Sequence, residues 1–202
     1  MIRIGLTGGV ASGKSEVLSI LRELGCHTIS ADDINHELMR TNKQLIANLK
    51  KTFNCVDENG VVNRKLLGKL VFKDEKAKLK LESFIHPLVK LVRKEFFKKV
   101  EGVGGKFAVC ETPLLFERNL LPEFDFSVVI TAPLDKRIER FVKRGSGDEA
   151  KFWSISKNQM LDSKKIEKAD FVVKNNGNKI DLKKQLEKIL NEMTIRKKES
   201  LK

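Results

Sequence analysis

The chain has no tyrosine, one tryptophan, four prolines and three cysteines among 202 residues, and each shortage closes off a class of protein. Cys26, Cys55 and Cys110 are odd in number and widely spaced, and no Cys-x-x-Cys occurs. A disulfide scaffold and a structural zinc site are both disfavoured. Cys26 and Cys110 sit in apolar surroundings and read as core residues. Without tyrosine, and without aromatics interleaved with basic residues, there is no platform for stacking nucleic-acid bases. No apolar run reaches the length of a membrane span. Residues 1–9 lack the basic-then-apolar layout of a signal peptide, so the expected location is cytoplasmic. There is no internal repeat and no low-complexity linker.

What remains has a globular balance: 41% hydrophobic and 33% charged residues. A disordered chain would be poorer in Leu, Ile, Val and Phe. The length suits one domain with room for an inserted subdomain. Lys and Arg total 40 against 27 Asp and Glu, a formal net charge of +13. Such a surface attracts anions, whether nucleic acid, acidic lipid or phosphorylated small molecules. Most of this charge reads as solvated helix faces, and residues 196–198 as a frayed basic tail.

Residues 2–7 form a short apolar run ending at a glycine turn, the pattern of a buried parallel strand. Residues 13–24 then carry Val17, Leu18, Ile20, Leu21 and Leu24 at helical spacing, and Gly25 ends that helix. Residues 27–30 predict a second strand and 32–40 a helix. From 42 to 100 the pattern is helical, with a turn at 57–60 and a long stretch, 76–100, interrupted or kinked at Pro87. Strand propensity returns at 107–110, 126–131 and 171–173. Helices are expected at 134–144, 149–161 and 180–193. Strands alternating with helices imply a five-stranded parallel sheet covered on both faces, an α/β fold. The helical stretch after the second strand is too long for a plain crossover and predicts a cap beside the sheet.

The chemistry begins at Gly8-Gly9-Val10-Ala11-Ser12-Gly13-Lys14-Ser15, which fits G-x-x-x-x-G-K-[ST]. Glycines let the backbone curl so that successive N–H groups face one phosphate. The helix start directs its positive end to the same place. Lys14 reaches the outer phosphates, and Ser15 offers a hydroxyl to the Mg²⁺ that bridges them. A strand precedes the motif and a periodic helix follows it, as a P-loop kinase of small molecules requires.

Asp32 follows the second strand, at the end of the sheet where ligands of such folds bind. Two readings stand: a base for an attacking hydroxyl, or an N-cap of the next helix. Asp33 could exchange roles with it. Glu111 ends the third strand and is placed to contact Mg²⁺, or to serve as a turn acid before Pro113. Arg137, Arg140 and Arg144 recur at intervals of three and four, on one helix face. They form either a solvated basic face or a lid that neutralises charge on the transferred phosphoryl group, with Arg140 the favoured member. Gly145 and Gly147 would let such a lid move. His86 reads as packed beside a kink, and Trp153 as a packing residue.

These motifs, in this order, resemble the dephospho-coenzyme A kinase family over nearly the whole chain. Residues 6–15 are similar to the family's L-T-G-G-I-G-S-G-K-S, and residues 29–32 to I-D-A-D. Asp57, Gly60 and Arg64 stand where the family has D-G-x-x-x-R in similar form, and His86-Pro87 where it has H-P. Residues 113–117 match P-L-L-F-E, Arg140 and Arg144 match R-x-x-x-R, and Gln159 matches a lid glutamine. Ala169-Asp170 and Asn175-Asn176-Gly177 match A-D and N-N-G. Departures are Ser30 for the first acid of D-A-D, His36 for a frequent arginine, and Ala11 and Glu16 for glycine and threonine.

The resemblance implies ATP-dependent phosphorylation of the 3′-hydroxyl of dephospho-coenzyme A, the last step of coenzyme A synthesis, with Mg²⁺. It implies catalytic roles for Asp32, Lys14 and Arg140. It assigns ATP to Gly8–Ser15 with Glu16, Arg144, Asn175 and Gly177. It assigns the acceptor to Thr7, Asp32, His86, Pro113, Leu114 and Leu115. One kinase domain is expected over 1–202: a P-loop core at 1–32, 105–143 and 164–202, a helical acceptor-binding insertion at 33–104, and a lid at 144–163. The expected protein is a monomer or small homo-oligomer with no membrane or nucleic-acid partner. The rivals are another small P-loop kinase, such as one for nucleoside monophosphates, and a nucleotide-dependent nucleic-acid-binding module.

Overall fold

The computed structural model describes residues 1–200. These fall into two compact units, residues 1–29 with 99–200, and residues 30–98. The expected insertion, 33–104, overlaps the second unit.

The first unit is built on a parallel sheet of five strands: β1 (Ile2–Gly8), β2 (His27–Ser30), β3 (Phe107–Glu111), β4 (Phe126–Thr131) and β5 (Phe171–Lys174). Their spatial order is β2-β3-β1-β4-β5, so β1 is central. It pairs in parallel with β3, Leu6 beside Glu111, and with β4, Gly8 beside Ile130. Helix α1 (Lys14–Glu23) follows β1 directly. One face of β1 is Ile2, Ile4 and Leu6, all buried in the main core. Against them pack Val17, Leu18, Ile20 and Leu21, the apolar stripe of α1. Leu182, Leu186, Leu190 and Met193 of the last helix, α9 (Lys179–Glu199), complete the layer. Each such side chain withdraws enough apolar surface to contribute about 1.5–3 kcal/mol. On the opposite face, Leu115, Phe116 and Val129 form a second cluster with Phe124 and Met160 against it.

The second unit holds α2 (Ala31–Thr41), α3 (Lys43–Phe53), α4 (Arg64–Lys73) and most of α5 (Glu75–Gly102). Caps explain their starts: Asn42 accepts from the Leu45 N–H at 2.9 Å, and Asn63 from the Leu66 N–H at 3.0 Å. The turn at 57–60 is real. The Asp57 carboxylate accepts from the Asn59 and Val61 N–H groups at 2.9 and 2.8 Å. Pro87 lies inside α5, which runs on through it.

After β4 come α6 (Leu134–Lys143), α7 (Glu149–Ser156) and α8 (Asp162–Lys168). The single helix expected over 149–161 stops at Ser156. The Met160 N–H donates to the Glu117 carboxylate at 2.7 Å, a tertiary partner that draws it away from the helical ladder. Among the described residues, no helix is long and apolar enough to cross a membrane.

Candidate active site

The loop between β1 and α1 joins the centre of the sheet to a helix start. Gly13 is the cap residue of α1, with φ 98° and no side-chain cap. The first N–H groups of the helix are therefore left to whatever lies in the loop. Two things make Gly13 irreplaceable. Its φ is left-handed, and a Cβ built on it would lie 1.9 Å from Asn175 Nδ2. Ala11, with φ 56°, adopts a left-handed backbone in spite of its side chain. Lys14 folds back over the loop, its ammonium donating to the Gly8 and Gly9 carbonyls at 3.0 and 3.1 Å. This ammonium and the first amides of α1 belong to one eight-residue loop, so the loop concentrates positive potential. Ser15 and Glu16, in the first turn, are exposed.

The loop rests on support from distant parts of the sequence. Asn175 is 3% exposed. Its amide donates to the Ser12 carbonyl at 3.0 Å, and its own N–H donates to Thr131 at 2.7 Å. The Asn175 carbonyl accepts from Arg140 Nη2 at 3.3 Å, while Arg140 Nη1 is buried with no hydrogen-bond partner among the described residues. Arg137, from α6, donates through Nε to the Val10 carbonyl at 2.7 Å and pairs with Asp162. Val10 and Ala11 pack on Phe141 and Phe152, so the loop also has an apolar backing. Arg144 is exposed, 5.4 Å over the Phe141 ring and bonded to Ser146. Gly177 is exposed two residues beyond Asn175.

Beside the loop, Glu111 ends β3 and is 5% exposed. Thr7 is fully buried, and its hydroxyl donates to the Pro113 carbonyl at 3.2 Å. Leu115 is also fully buried, on Phe116 and Val129. Thr7 and Leu115 thus hold the 113–117 turn from beneath, and Pro113 and Leu114 are among its partly exposed residues.

Asp32 stands in the first turn of α2, exposed. The cap of that helix is Ser30, whose hydroxyl accepts from the Asp32 N–H at 3.2 Å. The capping reading of Asp32 is therefore filled by Ser30, and the Asp32 carboxylate is left for other work. In the same unit a groove of about 590 Å³ is lined by Asp33, His36, Arg40, Asn59 and Arg64, among others. His86 lies exposed on α5. No cluster of three or more His, Cys, Asp or Glu able to hold a metal occurs among the described residues.

The sequence favours Arg140 over Arg137 and does not mark Asp162. The available signal was the shared helix face of Arg137, Arg140 and Arg144. Nothing local marks Asp162, whose partner is 25 residues away.

Comparison with known proteins bears directly on this site. The dephospho-CoA kinase of Bartonella quintana is 39% identical over 170 residues, 84% of this chain and 87% of that protein. Among solved structures, TT1252 from Thermus thermophilus superposes with a TM-score of 0.83 at 30% identity, covering 95% of this chain and 97% of that one. The dephospho-CoA kinase from Campylobacter jejuni gives a TM-score of 0.62 at 28% identity over 95% and 96% of the two chains. The family model described as CoaE, dephospho-CoA kinase, matches residues 2–181, so the loop and its supports all lie inside the matched span and the chain belongs to the dephospho-CoA kinase family.

Proposed function

We propose that this chain transfers the terminal phosphoryl group of ATP to the ribose 3′-hydroxyl of dephospho-coenzyme A, giving coenzyme A and ADP. The observation that carries this reading is the loop Gly8–Ser15, set between β1 and an uncapped α1 with Lys14 folded over it. Backbone N–H groups and the helix start would take the β- and γ-phosphates. Lys14 would leave its two carbonyl partners for the outer phosphates. Arg140, with one buried Nη lacking a hydrogen-bond partner among the described residues, would meet charge developing on the transferred group. Glu16, Arg144 and Gly177 would border the nucleotide, and Asn175 would hold the loop in shape.

Phosphoryl transfer of this kind uses Mg²⁺ to neutralise the triphosphate. The residues present suit it: the Ser15 hydroxyl and the Glu111 carboxylate are hard oxygen donors. Two such donors are too few for an all-protein cage, which fits an ion shared with phosphates and water.

Asp32 would accept the proton of the 3′-hydroxyl and orient it for in-line attack. The groove with His36, Arg40 and Arg64 carries two guanidinium groups that an acceptor's phosphates would seek, and His86, Pro113 and Leu114 are the remaining residues proposed for the acceptor. Its donor, ATP, fits a cytoplasmic enzyme.

The direct test is ATP consumption with dephospho-coenzyme A, with the product mass checked for one added phosphate. A panel of nucleoside monophosphates serves as the comparison. Preference for one of them would overturn the assignment of the acceptor while sparing that of the donor site.

A further inference from the structure

Arg137 is an unusual place for a charge. Its side chain is 7% exposed, and a buried guanidinium is costly unless its surroundings repay the lost water. Each side is occupied. Nε donates to the Val10 carbonyl at 2.7 Å. Nη1 pairs with the Asp162 carboxylate. The guanidinium carbon lies 5.5 Å from the centroid of the Phe152 ring. A Cβ on Gly9 would stand 2.2 Å from Nη2, so Gly9 is required by this arginine as well as by any phosphate. These contacts belong to the phosphate loop, to α7 and to the first residue of α8.

The loop needs such a hold. Ala11 follows Val10 and keeps φ 56°, a conformation disfavoured for any residue with a Cβ. The Val10–Ala11 peptide is fixed on one side by the Arg137 hydrogen bond and on the other by packing on Phe141 and Phe152. The same guanidinium holds Asp162, the first residue of α8.

We propose that Arg137 is a positioning residue, which fixes the shape of the phosphate loop at Val10–Ala11 and, through Asp162, braces the segment 149–162 against that same loop. The inference rests on the reading that Gly8–Ser15 holds ATP. Arg137 is too deeply covered to reach the nucleotide itself; it acts through the loop. Its geometry asks for a fork. One ammonium cannot meet the Val10 carbonyl and the Asp162 carboxylate while keeping a flat face on Phe152.

The test compares Arg137→Gln, Arg137→Lys and Asp162→Asn with the unaltered protein in steady-state kinetics, with hydrogen exchange of the apo proteins alongside. Arg137→Gln should raise KM for ATP about tenfold, as expected for a binding loop displaced by a fraction of an ångström, and leave KM for dephospho-coenzyme A within about twofold. Arg137→Lys should recover only part of this. Asp162→Asn, at a carboxylate 31% exposed, should fold normally and show a smaller rise of the same kind. Amide exchange should quicken at residues 9–11 and 149–162 and stay unchanged in β1 and α9. Combining Arg137→Gln with Asp162→Asn should add little to Arg137→Gln alone. Unchanged KM for ATP in Asp162→Asn, with exchange unaltered at 9–11, would overturn the proposal. So would equal rises in both KM values that track a lowered melting temperature. Lys14→Ala separates the two readings: intact ATP binding there would remove the phosphate-loop assignment itself, whatever Arg137 does.

Discussion

The Asp32 carboxylate owes its freedom to its neighbour. Ser30 takes the capping bond of α2, and no bond among the described residues occupies the Asp32 side chain. Replacing it by Asn preserves shape and removes the proton acceptor. Asp32→Asn should lower kcat by about 10²-fold or more, the usual yield of general base catalysis, with KM for ATP unchanged. Normal kcat would move the base role to Asp33 or to water. Gly13 makes the opposite kind of case, where space and backbone conformation decide. Gly13→Ala should abolish ATP binding, because its Cβ would collide with Asn175 Nδ2. It should also cost about 1–2 kcal/mol from the left-handed φ alone. Calorimetric titration with ATP and a urea melt read the two effects separately.

At the level of elements, α9 shows how much of the fold rests on one helix face. Leu182, Leu186, Leu190 and Met193 recur every three or four residues and are all buried against the sheet. Leu186→Ala should therefore destabilise the protein by about 2–5 kcal/mol in a urea melt. kcat should be unaffected at temperatures where the protein stays folded, since α9 carries no proposed site residue. This face was legible in the sequence, as were the five strands; for β1, β3 and β4 the reason is burial on both faces, which imposes apolar runs that end at glycine or polar turns. The phosphate loop was legible for a related reason: its chemistry needs glycine, lysine and serine at fixed local spacing. The break between α7 and α8 was not, because it depends on the Glu117 carboxylate capturing the Met160 N–H across 43 residues. The props beneath the loop were hidden in the same way. Asn175 reaches Ser12 across 163 residues, and Arg137 reaches Val10 across 127. Helical spacing could place Arg137 on a face, but it could not say what that face would meet.

Across the whole molecule, the net charge of +13 means that each well-placed carboxylate also relieves self-repulsion. Asp125 is the clearest instance within the first unit. It joins the start of the central strand to the end of the last helix: its carboxylate accepts from the Arg3 N–H at 2.7 Å and from Lys197 at 2.8 Å. Burial pushes the Asp125 carboxyl up, but the Arg3 N–H and the Lys197 ammonium outweigh it, and the group titrates below the ordinary aspartate range. A carboxyl held low in the folded state binds its proton more weakly than in the unfolded chain. Its stabilisation is complete above the unfolded value, about pH 4, and is lost as pH falls through the lower folded value. Asp125→Asn should lower the melting temperature at neutral pH and flatten its decline between about pH 5 and pH 3. The two melting curves should converge at the acid end, where Asp125 is protonated in both states. Parallel curves over that range, followed by circular dichroism, would show that the aspartate contributes through its shape and not its charge.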